Sequence, residues 1–156
     1  MTYYVDIQLS SHLKPPISNE VLEHWVTLTL SPHRQKAELT LRFVDPLEMT
    51  ELNHRYRKQN KVTNVLAFPS SYPKDIELDY PLLGDVIICP AVLLEESQSL
   101  KTPLEAHWAH ITIHGVLHLL GYDHIIDEDA FKMHEQEISV LNLLGYSNPY
   151  KEDTFD

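Results

Sequence analysis

The segment from Pro103 to Leu120 constrains the fold more than any other part of the chain. On a helical wheel its apolar residues gather on one face, namely Ala106, Ala109, Ile113, Val116, Leu117 and Leu120. The neighbouring face carries histidines, namely His107, His110, His114 and His118. Such a helix buries its apolar face in the core and presents the adjacent face to a cleft. We therefore predict a partly buried helix that carries a functional site.

The spacing of three histidines predicts a metal site. His114 and His118 are four residues apart, so their rings project from the same side of the helix. Gly121 suits the left-handed turn that ends a helix, and the chain beyond it can return His124 to the same point. Three protein ligands leave one tetrahedral position open, as in catalytic zinc sites, for a water molecule whose pKa the ion lowers to about 7. We predict one Zn²⁺ per chain.

The other two histidines of the helix are too far from this point to share the ion. His107 is about 10 Å from His114 along the helix axis. His110, one turn away, can line the cleft, and we expect both residues to pack or to support the ligands. Asp85 and Asp123 are candidates to orient a ligand histidine through a hydrogen bond to the ring nitrogen that does not bind the metal.

The known motif whose mechanism is most similar to this pattern is the metalloprotease sequence His-Glu-x-x-His. The onward spacing, His-x-x-Gly-x-x-His, also matches the metzincin type of histidine helix. In metalloproteases the Glu beside the first His is the general base, but Gly115 occupies that position here. The sequence therefore predicts the metal-binding histidines of a peptidase without its general base.

The rest of the chain predicts an α+β layered domain, with a sheet of roughly four strands packed by about five helices. Strands are predicted at Tyr3–Leu9, Ala37–Val44, Thr63–Phe68 and Asp85–Cys89. Besides the histidine helix, helices are predicted at 18–30, 45–56, 90–100 and 127–145. We expect a single domain over residues 1–156, with a mobile surface loop at 70–82 and a frayed tail at 151–156. The order of the strands does not follow from the pattern.

Composition favours a protein of the reducing cytoplasm. The chain has 156 residues, of which 43% are hydrophobic, enough for one core. Cys89 is the only cysteine, so no intrachain disulfide is possible, and its apolar surroundings predict burial rather than metal binding. The N-terminus lacks the pattern of a signal peptide, and no apolar run approaches the roughly 18 residues that span a bilayer.

The charge is unevenly distributed. The formal net charge is −11, which taken alone argues against nucleic acid as a partner. The stretch from residue 33 to 61 is nevertheless net positive, with seven basic and four acidic residues. This basic island is either a binding surface or an ordinary solvated face.

Three segments together resemble the YbeY-type bacterial rRNA maturation endoribonucleases. The most specific is the run from His114 to His124, His-Gly-Val-Leu-His-Leu-Leu-Gly-Tyr-Asp-His. Residues 56–69 resemble the arginine-containing segment of the family, and residues 83–89 resemble its Gly-Asp strand. The resemblance extends from about Leu39 to Tyr150. One departure is Val62, where the family usually has Pro.

The resemblance implies a zinc-dependent, single-strand-specific endoribonuclease. Such enzymes mature the 3′ end of small-subunit (16S) ribosomal RNA and act in ribosome quality control. The expected partners are single-stranded RNA, ribosomal RNA and the small ribosomal subunit, without a membrane or DNA. Carried over to this chain, the resemblance makes His114, His118 and His124 the metal ligands and Arg57 the catalytic arginine.

Basic residues around Arg57 fit an RNA substrate. A guanidinium offers a planar fork of donors that suits a phosphate, and phosphodiester cleavage needs added positive charge in its transition state. Arg55, Lys58 and Lys61 are candidates to contact neighbouring phosphates.

Two other functions are compatible with the same histidines. One is a metal-dependent peptidase or other hydrolase, which the lack of a carboxylate at Gly115 disfavours. The other is a ribosome-assembly factor that uses metal only for folding. The open ligand position disfavours it, because structural zinc normally has four protein ligands.

Overall fold

A computed structural model describes residues 2–70 and 81–150, which form an α+β fold, as predicted. The strands are β1 (Thr2–Leu9), β2 (Lys36–Phe43), β3 (Val65–Pro69) and β4 (Leu82–Ile88). The helices are α1 (Asn19–Leu30), α2 (Pro46–Arg57), α3 (Pro90–Leu100), α4 (Leu104–Leu119) and α5 (Asp127–Leu143). The predicted loop at 70–82 lies largely outside the described residues, as does the predicted tail at 151–156.

The strands form one mixed sheet in the order β1-β2-β4-β3. The first three of these are parallel, and β3 runs antiparallel to β4 at the edge. Alternate residues of β2 are buried (Ala37, Leu39, Leu41 and Phe43), which confirms its predicted period of two. The strand β4 begins three residues before its predicted start at Asp85, because Leu82 already pairs with Glu38 of β2.

The histidine helix α4 lies at the centre of the fold. It packs on β3 and β4 and contacts α1, α3 and α5. The sequence predicted one apolar face, but residues outside that face are buried too, namely Trp108, Ile111, Thr112 and Leu119. The difference arises because three other helices surround α4 in addition to the sheet.

Two glycines have conformational roles in α4 and its end. A Cβ atom at Gly115 would lie 2.6 Å from Cγ1 of Val86 in β4, so only glycine allows the helix to approach the sheet this closely. Gly121 has φ of +103°, the left-handed conformation predicted for the end of the helix.

The residue before α2 makes its hydrogen bond outside the helix. Asp45 is the N-cap residue, but its carboxylate makes no capping hydrogen bond to the helix. It instead accepts the backbone N–H of His12 at 2.8 Å, which ties the segment after β1 to this helix.

Within the described ranges, no helix combines the length and apolar character needed to cross a bilayer.

Candidate metal centre and cleft

The fold brings His114, His118 and His124 to one point. The first two project from the last turns of α4, and the turn at Gly121 returns the chain so that the third faces them. One ligand atom from each residue lies within 4.8 Å of the other two. The Nε2 atoms of His114 and His118 are 3.1 Å apart. The chain therefore holds a three-histidine group that can bind a metal ion.

The donor set suits a zinc ion. Two nitrogens each about 2.0–2.1 Å from a tetrahedral zinc are roughly 3.3 Å apart, close to the observed Nε2–Nε2 spacing. Burial lowers the pKa of His118 to about 4, and the neighbouring charges of His114 and His124 add to this effect. His118 is therefore neutral at physiological pH, the form that binds metal.

A buried carboxylate on α5 orients His114, the first histidine of this group. Glu137 has no exposed surface, and its Oε1 accepts a hydrogen bond from Nδ1 of His114 at 2.8 Å. This contact fixes the ring so that Nε2 is left for a metal. Burial raises the pKa of Glu137, but hydrogen bonds from His110 and His114 outweigh it and lower the pKa to about 2.

This supporting role belongs to neither Asp85 nor Asp123, the two aspartates predicted to orient a ligand histidine. Asp85 is exposed on β4, and the carboxylate of Asp123 accepts the backbone N–H of His124 at 2.7 Å. The sequence nevertheless contained a signal for Glu137. It lies in the apolar stripe of α5 with Met133, Val140 and Leu141, where a charged residue needs a buried partner.

His110 and His107 are supporting residues, as expected from their spacing. Nε2 of His110 lies 3.1 Å from Oε1 of Glu137. His107 is buried, and its Nε2 lies 2.8 Å from Oε1 of Glu96 on α3. Glu96 also accepts hydrogen bonds from Nδ2 of Asn64, a cleft residue that the sequence did not predict.

The histidine group opens into a cleft of about 570 Å³. Its walls are β3 with the residues just before it, the end of α2, and the loop that follows α4. The polar and charged residues lining it are Arg57, Thr63, Asn64, Asp123 and the three histidines, together with the phenol of Tyr56. An arginine and a three-histidine group that can bind a metal ion thus share one cavity.

Arg57 is held at the cleft by the end of its helix. It is the last residue of α2, and Lys58 follows in the left-handed conformation with φ of 60°. Four residues after Arg57 the loop is anchored, because Nδ2 of the buried Asn53 donates to the carbonyl of Lys61 at 2.9 Å. The backbone on both sides of Arg57 is therefore fixed.

The other basic residues predicted to contact substrate lie outside the described lining of the cleft. Arg55 lies on the same helix but lines a separate depression with Glu48 and Glu51. Lys58 and Lys61 are exposed in the loop that leads from Arg57 to the cleft wall. The structure thus brings Arg57, but not Arg55, to the histidine group.

The fold and the site define a class of α+β proteins in which a three-histidine group that can bind a metal ion lies beside an arginine. The sequence profile of the family described as Endoribonuclease YbeY matches residues 8–145. The chain is similar to the Endoribonuclease YbeY of Legionella pneumophila (strain Corby), with 57% identity over 97% of this chain and 96% of the relative. It is also similar to that of Pseudomonas putida (strain KT2440), with 47% identity over 97% and 96%.

A solved structure has the same fold. The solution structure of TM1509 from Thermotoga maritima matches with a TM-score of 0.60 and 25% identity, over 97% of this chain and 99% of that one. The chain belongs to the YbeY endoribonuclease family.

Proposed function

We propose that this chain is a zinc-dependent, single-strand-specific endoribonuclease of one domain that matures the 3′ end of 16S ribosomal RNA in the cytoplasm. The observation that carries the proposal is the shared cleft: Arg57 lines the same cavity as His114, His118 and His124. The proposed partners are ribosomal RNA and the small ribosomal subunit, with a further role in ribosome quality control. The names of the relatives, all endoribonucleases, support RNA as the substrate.

Each group has a distinct part in the proposed reaction. His114, His118 and His124 would hold the zinc ion, which would supply positive charge at the phosphodiester and would favour attack by either a water molecule or the 2′-hydroxyl of the RNA. Arg57 donates its fork of N–H groups to phosphate oxygens and stabilises the charge that builds on them. Glu137 keeps His114 in its binding orientation through the Nδ1 hydrogen bond.

The aromatic lining of the cleft supports preference for single strands. Tyr56 and Phe68 both line it, with ring centroids 5.0 Å apart in an edge-to-face arrangement. Tyr56 is 58% exposed, which leaves room for a base to stack against it. Bases in a duplex are already stacked and paired, so only unpaired bases can use such a surface.

The packing of Gly115 disfavours the peptidase alternative. A side chain at this position would run into Val86 and Val65 of the sheet instead of reaching solvent. The Glu base of metalloproteases therefore has no counterpart at this position. We expect no metal-dependent cleavage of casein.

Cleavage of single-stranded RNA by Arg57→Ala is the decisive test, because the variant keeps every metal ligand. Loss of a positioned arginine costs roughly 10³–10⁵ in rate in phosphoryl-transfer enzymes, and we expect a loss of this order. Zinc content and thermal stability should stay at parental values. Arg57→Lys should recover only part of the activity, since an ammonium cannot make the two-pronged contact.

Arg55→Ala is the matched control, since it removes the same side chain two residues earlier on the same helix. It should cleave at nearly the parental rate, because Arg55 lines a different depression. Equal activity of Arg57→Ala and the parent would refute the catalytic role of Arg57. Casein and duplex RNA, assayed in parallel, should remain intact.

The proposed ribosomal role has a separate test. With a net charge of −11, the protein as a whole does not attract RNA electrostatically. We therefore expect RNA to bind through a local surface, or a partner to bring the protein to its RNA. Cells that lack the protein should accumulate 16S rRNA with unprocessed 3′ ends, and the parent but not Arg57→Ala should restore normal ends. Normal 3′ ends in the deletion strain would refute this role.

A further inference from the structure

We propose that Tyr150 is a positioning residue of the metal centre, acting through Glu137. The inference rests on the proposed binding of zinc by the three histidines. Tyr150 follows α5 in the chain, and its phenol folds back to donate a hydrogen bond to Oε2 of Glu137 at 2.9 Å. The other oxygen of this carboxylate accepts from Nδ1 of the ligand His114. One carboxylate thus links the C-terminal segment to the metal site.

The hydrogen bonds around Glu137 have a defined direction. An ionised carboxylate only accepts, so Nδ1 of His114 carries the proton of this hydrogen bond, and its Nε2 faces the proposed metal position. Nε2 of His110 lies 3.1 Å from Oε1 of Glu137 and 3.0 Å from the Tyr150 hydroxyl oxygen. The Tyr150 hydroxyl donates its proton to Glu137, so its oxygen can only accept from His110. Nε2–H of His110 therefore donates to Oε1 of Glu137 and to the hydroxyl oxygen of Tyr150. Tyr150 and His110 together hold both carboxylate oxygens in place.

The position of the Tyr150 ring is itself determined by contacts. The ring stacks on His134 of α5, with centroids 3.9 Å apart and planes inclined by 19°. Its backbone N–H donates to Oδ1 of Asn148 at 2.7 Å. The ring edge also meets His110 at a centroid distance of 5.4 Å. These contacts aim the hydroxyl at Glu137, which has no exposed surface and so cannot replace the lost donor with bulk water.

The consequence concerns the geometry of His114. A carboxylate with donors on both oxygens has one orientation, and it presents Oε1 to His114 at a fixed place. Without the Tyr150 hydroxyl the carboxylate can rotate, and the His114 ring loses its fixed orientation. Partners that orient a ligating histidine typically change metal affinity by 10- to 100-fold when removed. Tyr150 contacts His114 only through Glu137, so its effect should be at the lower end of this range. We therefore expect removal of its hydroxyl to weaken zinc affinity about tenfold.

The experiment is zinc competition between the protein and a chromophoric chelator, with the parent, Tyr150→Phe and Tyr146→Phe. Phenylalanine keeps the ring on His134 and removes only the hydroxyl. Tyr146→Phe is the matched control, because its hydroxyl bonds Glu105, away from the metal site. Tyr150→Phe should bind zinc about tenfold more weakly, whereas Tyr146→Phe should bind like the parent. The imidazole nitrogen chemical shifts of His114 should also show a mixture of tautomers in Tyr150→Phe alone.

The outcomes separate this inference from the proposed function. Parental zinc affinity and a single His114 tautomer in Tyr150→Phe would overturn the role of Tyr150 and leave the endoribonuclease proposal intact. Equal weakening in Tyr146→Phe would also overturn it, since the effect would then be general destabilisation. A parent that binds no zinc would refute the metal site itself, and the inference with it.

Discussion

Gly115→Ala tests whether close packing, rather than catalysis, explains the glycine beside His114. The added Cβ would lie 2.6 Å from Cγ1 of Val86 and 3.3 Å from Cγ2 of Val65. Val86 is fully buried in β4, which is paired on both sides by β2 and β3. Neither the strand nor the stiff β-branched side chain can move away easily. The helix must therefore shift or the contact must stay compressed.

The expected change in the free energy of unfolding combines two opposing effects. Alanine is favoured over glycine in a helix interior by about 1 kcal/mol. Overpacking a core by one methyl group costs about 1–3 kcal/mol, and a contact this short in an immobile setting belongs at the upper end. The net result is a loss of about 1–2 kcal/mol. For a domain of this size it corresponds to a fall in Tm of roughly 2–8 °C.

Urea unfolding of the metal-free protein measures this change without the contribution of bound metal. Val86→Ala removes the obstructing methyl group, so the double variant should be less destabilised than the sum of the single variants, by about 1 kcal/mol. A gain in stability of about 1 kcal/mol in Gly115→Ala alone would refute the reasoning. Such a gain would mean that the higher helix propensity of alanine is not offset by a clash with Val86.

Three further predictions concern the metal ligands, the pH dependence of stability and the substrate. Alanine at any ligand histidine, His118 for example, should abolish stoichiometric zinc in elemental analysis, and zinc affinity should fall at acid pH because protons compete for the ligand nitrogens. The pKa of Glu137 is lowered from 4.5 to about 2, so its ionisation stabilises the fold above pH 4.5 and is lost as pH falls towards 2. Urea midpoints of Glu137→Gln should vary less over that range than those of the parent. Lys58→Ala and Lys61→Ala should each weaken RNA binding and reduce its salt slope by about 1, in titrations at several salt concentrations. An unchanged slope would exclude phosphate contacts by these lysines.

The sequence alone determined the features that depend on neighbouring residues. The backbone hydrogen bonds of a helix join residues four apart, so the separation of His114 and His118 places both rings on one side wherever the helix lies. Gly121 likewise marks the turn to His124, since a positive φ strongly favours glycine. The periodicity of β2 and the bounds of most helices followed from the same local rules.

Only the tertiary structure decided which distant elements meet. Glu137 contacts His114 across 23 residues of sequence because α5 packs against α4, and no local rule selects it over Asp85 or Asp123. Helix geometry places Arg57 and Arg55 on opposite sides of α2, but it does not determine which side faces the cleft. Only the placement of α2 beside β3 brings the first to the cleft. Burial and packing depend on the sum of weak contacts over the whole chain, and a local pattern does not contain that sum.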